Sequence, residues 1–311
     1  MIPTLLFFLS AGSVAVPLQV VLSPSGMYKV IVWDIRLPTA LAAALIGATL
    51  AVSGAVMQLL YRNPLMDPYI SGTASGAAFG AVLAYLVAVS QTPAFIFYQT
   101  ALAFVFALAA GAVAVAVGRG GIYTTVVAGV AMSYLFSALA TLTISYLSAK
   151  MPQIPPITFW LFGYIDYVDY VHVALFASAT GAVVGLAYAH ARRIDLVALS
   201  DEMAHVRGIE PRIYRLAWLA GISLATALIV SNVGVVGFVG LMVPHLARMI
   251  LKNGSATALI PASAALGALA LTFSGAVARG ALGFTTPVTA VTSIMAIPIM
   301  ILALGHVREG G

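Results

Sequence analysis

Residues 36–68 read RLPTALAAALIGATLAVSGAVMQLLYRNPLMDP, and between Arg36 and Arg62 there is no Asp, Glu, Lys, Arg or His. The apolar run from Leu37 to Leu59 exceeds the roughly 20 residues needed to cross a hydrocarbon core of about 30 Å. It ends in a turn where Pro64 and Pro68 lack backbone donors and force the chain out of a helix. Asn63 and Asp67 can satisfy the exposed backbone groups there. A boundary charge, a membrane-length apolar run and a polar turn make one unit, and the unit repeats along the chain.

Working outward, comparable runs lie near 2–22, 37–59, 69–90, 96–117, 122–147, 171–190, 213–232, 235–251, 256–275 and 287–305. Of 311 residues, 62% are hydrophobic and 7% are charged, whereas a soluble domain carries about a quarter charged residues. The expectation is an all-α polytopic membrane protein of about ten transmembrane helices, with residues 1–311 forming one transmembrane domain. Residues 1–22 offer Ser13-Val14-Ala15 as a cleavage-like site, but they lack a basic leading region and are long enough to cross, so they read as the first span.

An even number of spans puts both termini on one side. Placing them in the cytoplasm leaves Arg62, Arg119, Arg192, Arg193, Arg207, Arg212, Arg215, Arg248, Lys252 and Arg308 inside and only Lys29, Arg36, Lys150 and Arg279 outside. This obeys the positive-inside bias, so the chain reads N-in and C-in. The basic residues are scattered and form no stripe for nucleic acid.

Apart from Arg215 and Arg248 near cytoplasmic helix ends, the spans hold no Asp, Glu, Lys or Arg. Proton- and ion-coupled transporters usually retain such groups in the membrane, so the absence weakens that class, although sodium sites built from carbonyls would leave no such trace. With no cysteine, there is no thiolate metal site, disulfide or cysteine nucleophile. The five histidines, His172, His190, His205, His245 and His306, contain no pair at i, i+4 spacing, so no metal site is expected. Asp166 and Asp169 read as a solvated face. Ser75-Gly76 resembles part of an intramembrane serine protease motif, but position 73 is Thr where that motif has glycine. Gly118-Arg119-Gly120-Gly121 lacks the lysine and spacing of a phosphate loop, so any ATP must be handled by another chain.

Four local features carry functional expectations. Residues 195–211 are the longest polar run, with Leu196, Leu199, Met203 and Val206 at helical spacing. Ser200, Asp201 and Glu202 suit a helix start, and Gly208 suits its stop. The result is a short amphipathic helix at the cytoplasmic face, resting on the bilayer or docking on a partner. Gly234, Gly237, Gly240 and Pro244 make the eighth span short and breakable, with Pro287 and Pro298 bracketing the tenth; such residues line cavities, form hinges or simply kink. Gly47, Ser53-Gly54 and the run from Ser71 to Gly76 are small residues suited to close helix packing. Thr141, Thr143, Ser145 and Tyr146 put polar groups at the end of the fifth span, before Lys150, Met151 and Gln153, though helical period forbids their all sharing one face.

Three segments resemble the FecCD-type permeases, which import cobalamin, haem and iron siderophores. The first is Arg36-Leu37-Pro38-Thr39 with Gly47-Ala48, Ser53-Gly54, Gln58, Arg62-Asn63-Pro64-Leu65-Met66-Asp67-Pro68 and Ser71-Gly72. The second is Gly234-Val235-Val236-Gly237-Phe238-Val239-Gly240-Leu241-Met242-Val243-Pro244-His245-Leu246-Ala247-Arg248, and the third is residues 199–209. Thr39 stands where the family usually repeats an Arg, and Phe284-Thr285-Thr286-Pro287-Val288 departs from its usual turn.

The resemblance implies a type II ABC importer permease in the cell membrane, without an enzymatic activity or cofactor of its own. It implies a second permease copy, as a homodimer, two cytoplasmic ATPase subunits holding ATP and Mg, and a soluble extracytoplasmic binding protein that supplies a metal chelate. Leu199, Ser200, Asp201, Glu202, Met203, Val206, Arg207 and Gly208 would form the coupling element to the ATPase. Arg62-Asn63-Pro64 would be a structural turn or a second ATPase contact. Arg36 and Arg279, with Lys29 in place of the missing partner at Thr39, would receive acidic residues of the binding protein; headgroup anchoring by snorkelling is the other role open to them. Thr141 and Ser145, with Gly237, Gly240, Pro244, Pro287, Thr289 and Pro298, would line the pathway or form its hinges. A secondary transporter or channel without ATPases is the alternative that Gly/Pro-broken helices also fit, and an intramembrane enzyme lacks the necessary catalytic set.

Overall fold

The computed structural model describes residues 2–12, 14, 16–87, 93–118, 121–150, 162–165, 168–252, 254–281 and 283–309, the side chains of 93–94 and 302–309 excepted. Among them every regular element is helical. In chain order these are α1 (Ile2–Ser10), α2 (Leu18–Leu22), α3 (Met27–Leu60), a 3-10 turn (Pro68–Ser71), α4 (Thr73–Val87), α5 (Pro93–Val117) and α6 (Ile122–Lys150). There follow α7 (Tyr170–Ala189), α8 (Ala191–Leu199), α9 (Asp201–Val206), α10 (Pro211–Val233), α11 (Val239–Leu251), α12 (Ala256–Ala281) and α13 (Val288–Glu309). Six helices, α3, α5, α6, α7, α10 and α12, are long and apolar enough to cross a membrane, and α4, α11 and α13 provide shorter apolar stretches.

The helix opened by the quoted stretch is the axis of the fold. Ala42, Ala43, Ile46, Leu50, Val52 and Ala55 of α3 are all fully buried, enclosed mainly by α12, α7 and α11. Lipid supplies no hydrophobic drive between helices, so association depends on close backbone approach at small residues. Gly47 meets Gly267 of α12 so tightly that a Cβ on Gly47 would lie 2.2 Å from the Gly267 carbonyl oxygen. At Gly54 a Cβ would lie 1.8 Å from the Gly240 carbonyl oxygen of α11. A second layer of α4, α5 and α6, with α10 against α5, completes the bundle.

The structure corrects several boundaries. The expected first span at 2–22 is not one helix: α1 stops at Ser10, and α2 begins only after Pro17. Gly12, at φ 149°, takes a conformation that other residues rarely adopt. The expected outer loop containing Lys29 and Arg36 is instead helical, because α3 starts at Met27 and passes through a π-helical turn at Val30–Arg36. A charge at position 36 does not end the helix because its guanidinium finds backbone acceptors inside the fold. The third span begins with the 3-10 turn, where the Asp67 carboxylate accepts a hydrogen bond from the Tyr69 amide at 2.9 Å and Gly72 sits at φ 79°. The eighth starts at Val239, leaving 234–238 non-helical.

A joined polar turn and an unwound membrane segment as the candidate functional site

The segment expected to couple to an ATPase is built from two short helices with a break at Ser200. Ser200 is extended at φ −157°, and its hydroxyl accepts a hydrogen bond from the Met203 amide at 3.0 Å, capping α9. Gly208, at φ 74°, turns the chain after it. The single stripe expected from Leu196 to Val206 is therefore interrupted. Leu196 is half-buried on α8, whereas Leu199, Met203 and Val206 project from the break and from α9 with 67%, 52% and 85% exposure. Glu202 and Arg207 are exposed beside them, and Ala204 anchors the opposite face in the core.

Asp201 locks this element to the membrane helices. Its two carboxylate oxygens accept from Arg215 Nη1 at 2.9 Å and Nη2 at 2.6 Å, and Oδ1 also accepts from Arg62 Nη2 at 2.5 Å. Arg62 donates further to the Val197 and Ala198 carbonyls, and Arg215 Nε to the Leu60 carbonyl at 2.6 Å. The Arg62 backbone is left-handed at φ 49°, an uncommon state for a residue with a Cβ. Hydrogen bonds from Arg215, then the positive charges of Arg215 and Arg62, hold the Asp201 carboxyl below the usual carboxylate range. The turn after α3, α9 and α10 are thus tied at one carboxylate.

A second polar joint lies one layer deeper. Arg248 Nη1 donates to Gln58 Oε1 at 2.7 Å, while Gln58 Nε2 faces the carbonyls of Met66, Gly240 and Leu241, each at 3.3 Å. Pro68 packs on Gly240, where a Cβ would lie 2.4 Å from its Cδ, and Pro244 is buried within α11. Sequence reasoning quoted Gln58 but gave it no role. Its signal was a polar amide inside an otherwise apolar run.

Toward the other side, residues 234–238 are unwound, and Phe238 is left-handed at φ 68°. Unwound backbone at membrane depth must find partners. Thr289 supplies two: its hydroxyl donates to the Val235 carbonyl at 2.7 Å and accepts from the Gly237 amide at 3.1 Å. Thr292 donates to the Gly237 carbonyl at 2.9 Å. Gly237 and Thr289 are thus brought together, with half-buried Pro287 just before α13. Thr141 and Ser145 are elsewhere, exposed on α6, which packs on α4 and α5, and Pro298 is exposed within α13.

At the outer end the arginines differ from the expected rim. Arg36 is only 4% exposed; its Nη1 donates to the Leu9 carbonyl at 2.7 Å and its Nη2 to the Val14 carbonyl. Arg36 therefore fastens the N-terminal segment to α3 and is no exposed docking cation. The half-buried Arg279 guanidinium lies 5.3 Å from the Phe8 ring centroid, within cation–π range. Lys29 is exposed. Asp169 is the helix cap of α7, accepting from the His172 amide at 3.0 Å and lying 2.6 Å from its Nδ1. Arg119, Met151, Gln153 and Asp166 lie outside the described residues.

Comparison with known proteins matches residues 1–305 to the FecCD transport family. The chain is 32% identical over 286 residues to a probable iron chelatin transport system permease protein of Helicobacter pylori, covering 90% of this chain and 84% of that one. It is 34% identical to the cobalamin import system permease protein BtuC of Halobacterium salinarum, covering 89% of this chain and 73% of the relative. A molybdate import system permease protein, MolB of Haemophilus influenzae, is 29% identical over 90% of this chain and 82% of its own length. The fold superposes on an inward-facing metal-chelate type ABC transporter with a TM-score of 0.85 and 26% identity, covering 98% of this chain and 96% of that one. Nothing in these matches favours a free-standing secondary transporter. With its apolar helices and a family match over nearly its whole length, this chain is a multi-pass ABC-importer-type permease of the cell membrane and belongs to the FecCD transport family.

Proposed function

We propose that this chain moves a metal chelate from a soluble binding protein into the cytoplasm, as half of a permease homodimer driven by two ATPase subunits that carry ATP and Mg. The carrying observation is the Asp201 joint. It presents Leu199, Met203 and Val206 outward on an element too short to stand alone, while fixing that element to α3 and α10 through Arg62 and Arg215. A displacement of α9 by nucleotide binding below would therefore be delivered to two membrane helices. The Gln58–Arg248 contact passes it to α11, whose start is the unwound, Thr289-supported segment. That arrangement suits alternation between two access states, each favoured by a different nucleotide condition.

Six long helices, three shorter ones and the N-terminal segment support a reading of ten crossings as one domain, and the bias of basic residues toward one side supports N-in and C-in. The relatives carry iron chelates, cobalamin or molybdate by name, so the cargo class is taken from the majority, metal chelates. Co-purification with ATPase subunits, and ATP hydrolysis stimulated by the cognate binding protein, tests the function. For the dimer, Ser145→Cys offers a clean reporter in a chain without cysteine: crosslinking between copies, or reaction with a pathway-accessible reagent, is expected, and failure of both removes α6 from the axis.

A further inference from the structure

Between α7 and α10 an open groove of about 520 Å³ runs from Ser178 and Leu228 at one end to His190 and Tyr214 at the other. Its walls are apolar along the membrane-spanning length, with Leu186, Trp218 and Ile222 among them. Tyr214 and Ala217 also line a second cavity of about 520 Å³, walled by Arg193, Arg207 and Glu210. Two adjoining cavities thus make a cleft with a long apolar arm and a basic end. Gly221 lines the apolar arm, yet a Cβ there would meet nothing within 4 Å. Unlike Gly47 and Gly54, it is not needed for helix contact. Its smallness keeps the groove deep.

An apolar trench inside a bilayer is filled by hydrocarbon, and the basic end fixes which molecule supplies it. Arg193 and Arg207 are exposed and have no ion-pair partner among the described residues, whereas Glu210 already faces His205 Nδ1 at 3.2 Å. Two arginines against one carboxylate leave this end net positive whatever the charge on His205. A phosphate at the headgroup level would neutralise it, and basic residues near a membrane surface attract anionic lipids. The His190, Tyr214 and Trp218 rings cluster at the junction, with the indole centroid 6.2 Å from the imidazole centroid, a position where amphipathic rings sit at a membrane interface.

We propose that an anionic phospholipid of the cytoplasmic leaflet occupies this cleft, one acyl chain against Leu186 and Trp218 and its phosphate between Arg193 and Arg207. The choice of leaflet rests on the proposed orientation of the coupling segment. Arg207 caps α9 and Gly208 ends it, so the headgroup bears directly on the coupling element. Bilayer charge then regulates how firmly that element is held.

The test uses Trp218 as the sole indole, in the full-length chain carrying Trp33→Phe and Trp160→Phe, reconstituted in vesicles of phosphatidylcholine and phosphatidylglycerol with one or other lipid brominated. Brominated phosphatidylglycerol is expected to quench Trp218 at a lower mole fraction than brominated phosphatidylcholine. Arg193→Gln with Arg207→Gln should erase that preference, by roughly five-fold per arginine. Gly221→Leu, whose Cβ would meet nothing within 4 Å, puts side chain into the groove and should reduce quenching by both lipids. Equal quenching by the two lipids in the parent would overturn the proposal, as would efficient crosslinking of Gly221→Cys between copies, which would put protein in the groove. Stimulation of ATP hydrolysis by the binding protein reports separately on the importer reading: equal quenching by the two lipids in a parent whose stimulation is intact sinks this inference alone.

Discussion

Asp201 and Arg215 face each other through two parallel hydrogen bonds, at 2.9 Å and 2.6 Å, that join α9 to α10. The arginine side chain is 7% exposed and the carboxylate 46%, so the pair sits at the edge of the helical bundle. A bidentate contact restricts direction as well as distance. Removing the carboxylate leaves a nearly buried guanidinium with one backbone acceptor.

Asp201→Asn is expected to loosen the coupling element and lower transport per ATP hydrolysed by roughly tenfold, about 1.4 kcal/mol, with the membrane helices still folded. The pH dependence follows from the depressed carboxyl. Its stabilising contribution is complete above the ordinary carboxylate range, about pH 4, and is lost as pH falls through the lower folded value. Thermal unfolding in detergent between neutral and acid pH should show this acid-side loss in the parent and less of it in the variant.

Thr289→Val keeps the side-chain shape but withdraws the partner of the Val235 carbonyl and the Gly237 amide. An unsatisfied polar group at depth costs about 1–3 kcal/mol, so the variant should melt earlier, while Thr289→Ser stays close to the parent. A melt of Thr289→Val indistinguishable from the parent would show that the unwound segment is held by other groups.

Helix positions were legible because the apolar runs are long and the charges between them few, and the start and stop of α9 were legible because Ser200 and Gly208 have specific backbone roles. The missed features share one cause. Apolar-run reading ends a span at the first charge, but Arg36 is kept within a helix by the Leu9 and Val14 carbonyls. Arg62 does lie beyond its helix, but its partner Asp201 is 139 residues away. Local pattern could not show that the turn and the coupling helix meet at one carboxylate. Likewise Gly237 and Thr289 were singled out for separate helices, with nothing in either segment to reveal their hydrogen bond.

At the outer face, Lys29→Glu should slow association of the binding protein and flatten its salt dependence, since exposed rim charges mainly steer encounter. Arg36→Glu should act differently. A carboxylate facing two carbonyls would release the N-terminal segment, so the expected result is a lower melting temperature. Stopped-flow association across a salt series separates the two; a Lys29→Glu rate equal to the parent at every salt concentration would remove Lys29 from the docking surface.

The most direct measurement is binding-protein-stimulated ATP hydrolysis and substrate uptake in proteoliposomes containing the permease and its ATPase subunits, comparing the parent with Met203→Glu. Met203 lies on the exposed face of α9, away from the helix core, so the variant should assemble its membrane domain normally. The predicted result is uptake and stimulation in the parent and loss of both in Met203→Glu, with a permease that melts as the parent does. Uptake by the permease without ATPase subunits, or undiminished coupling in Met203→Glu, would contradict the account.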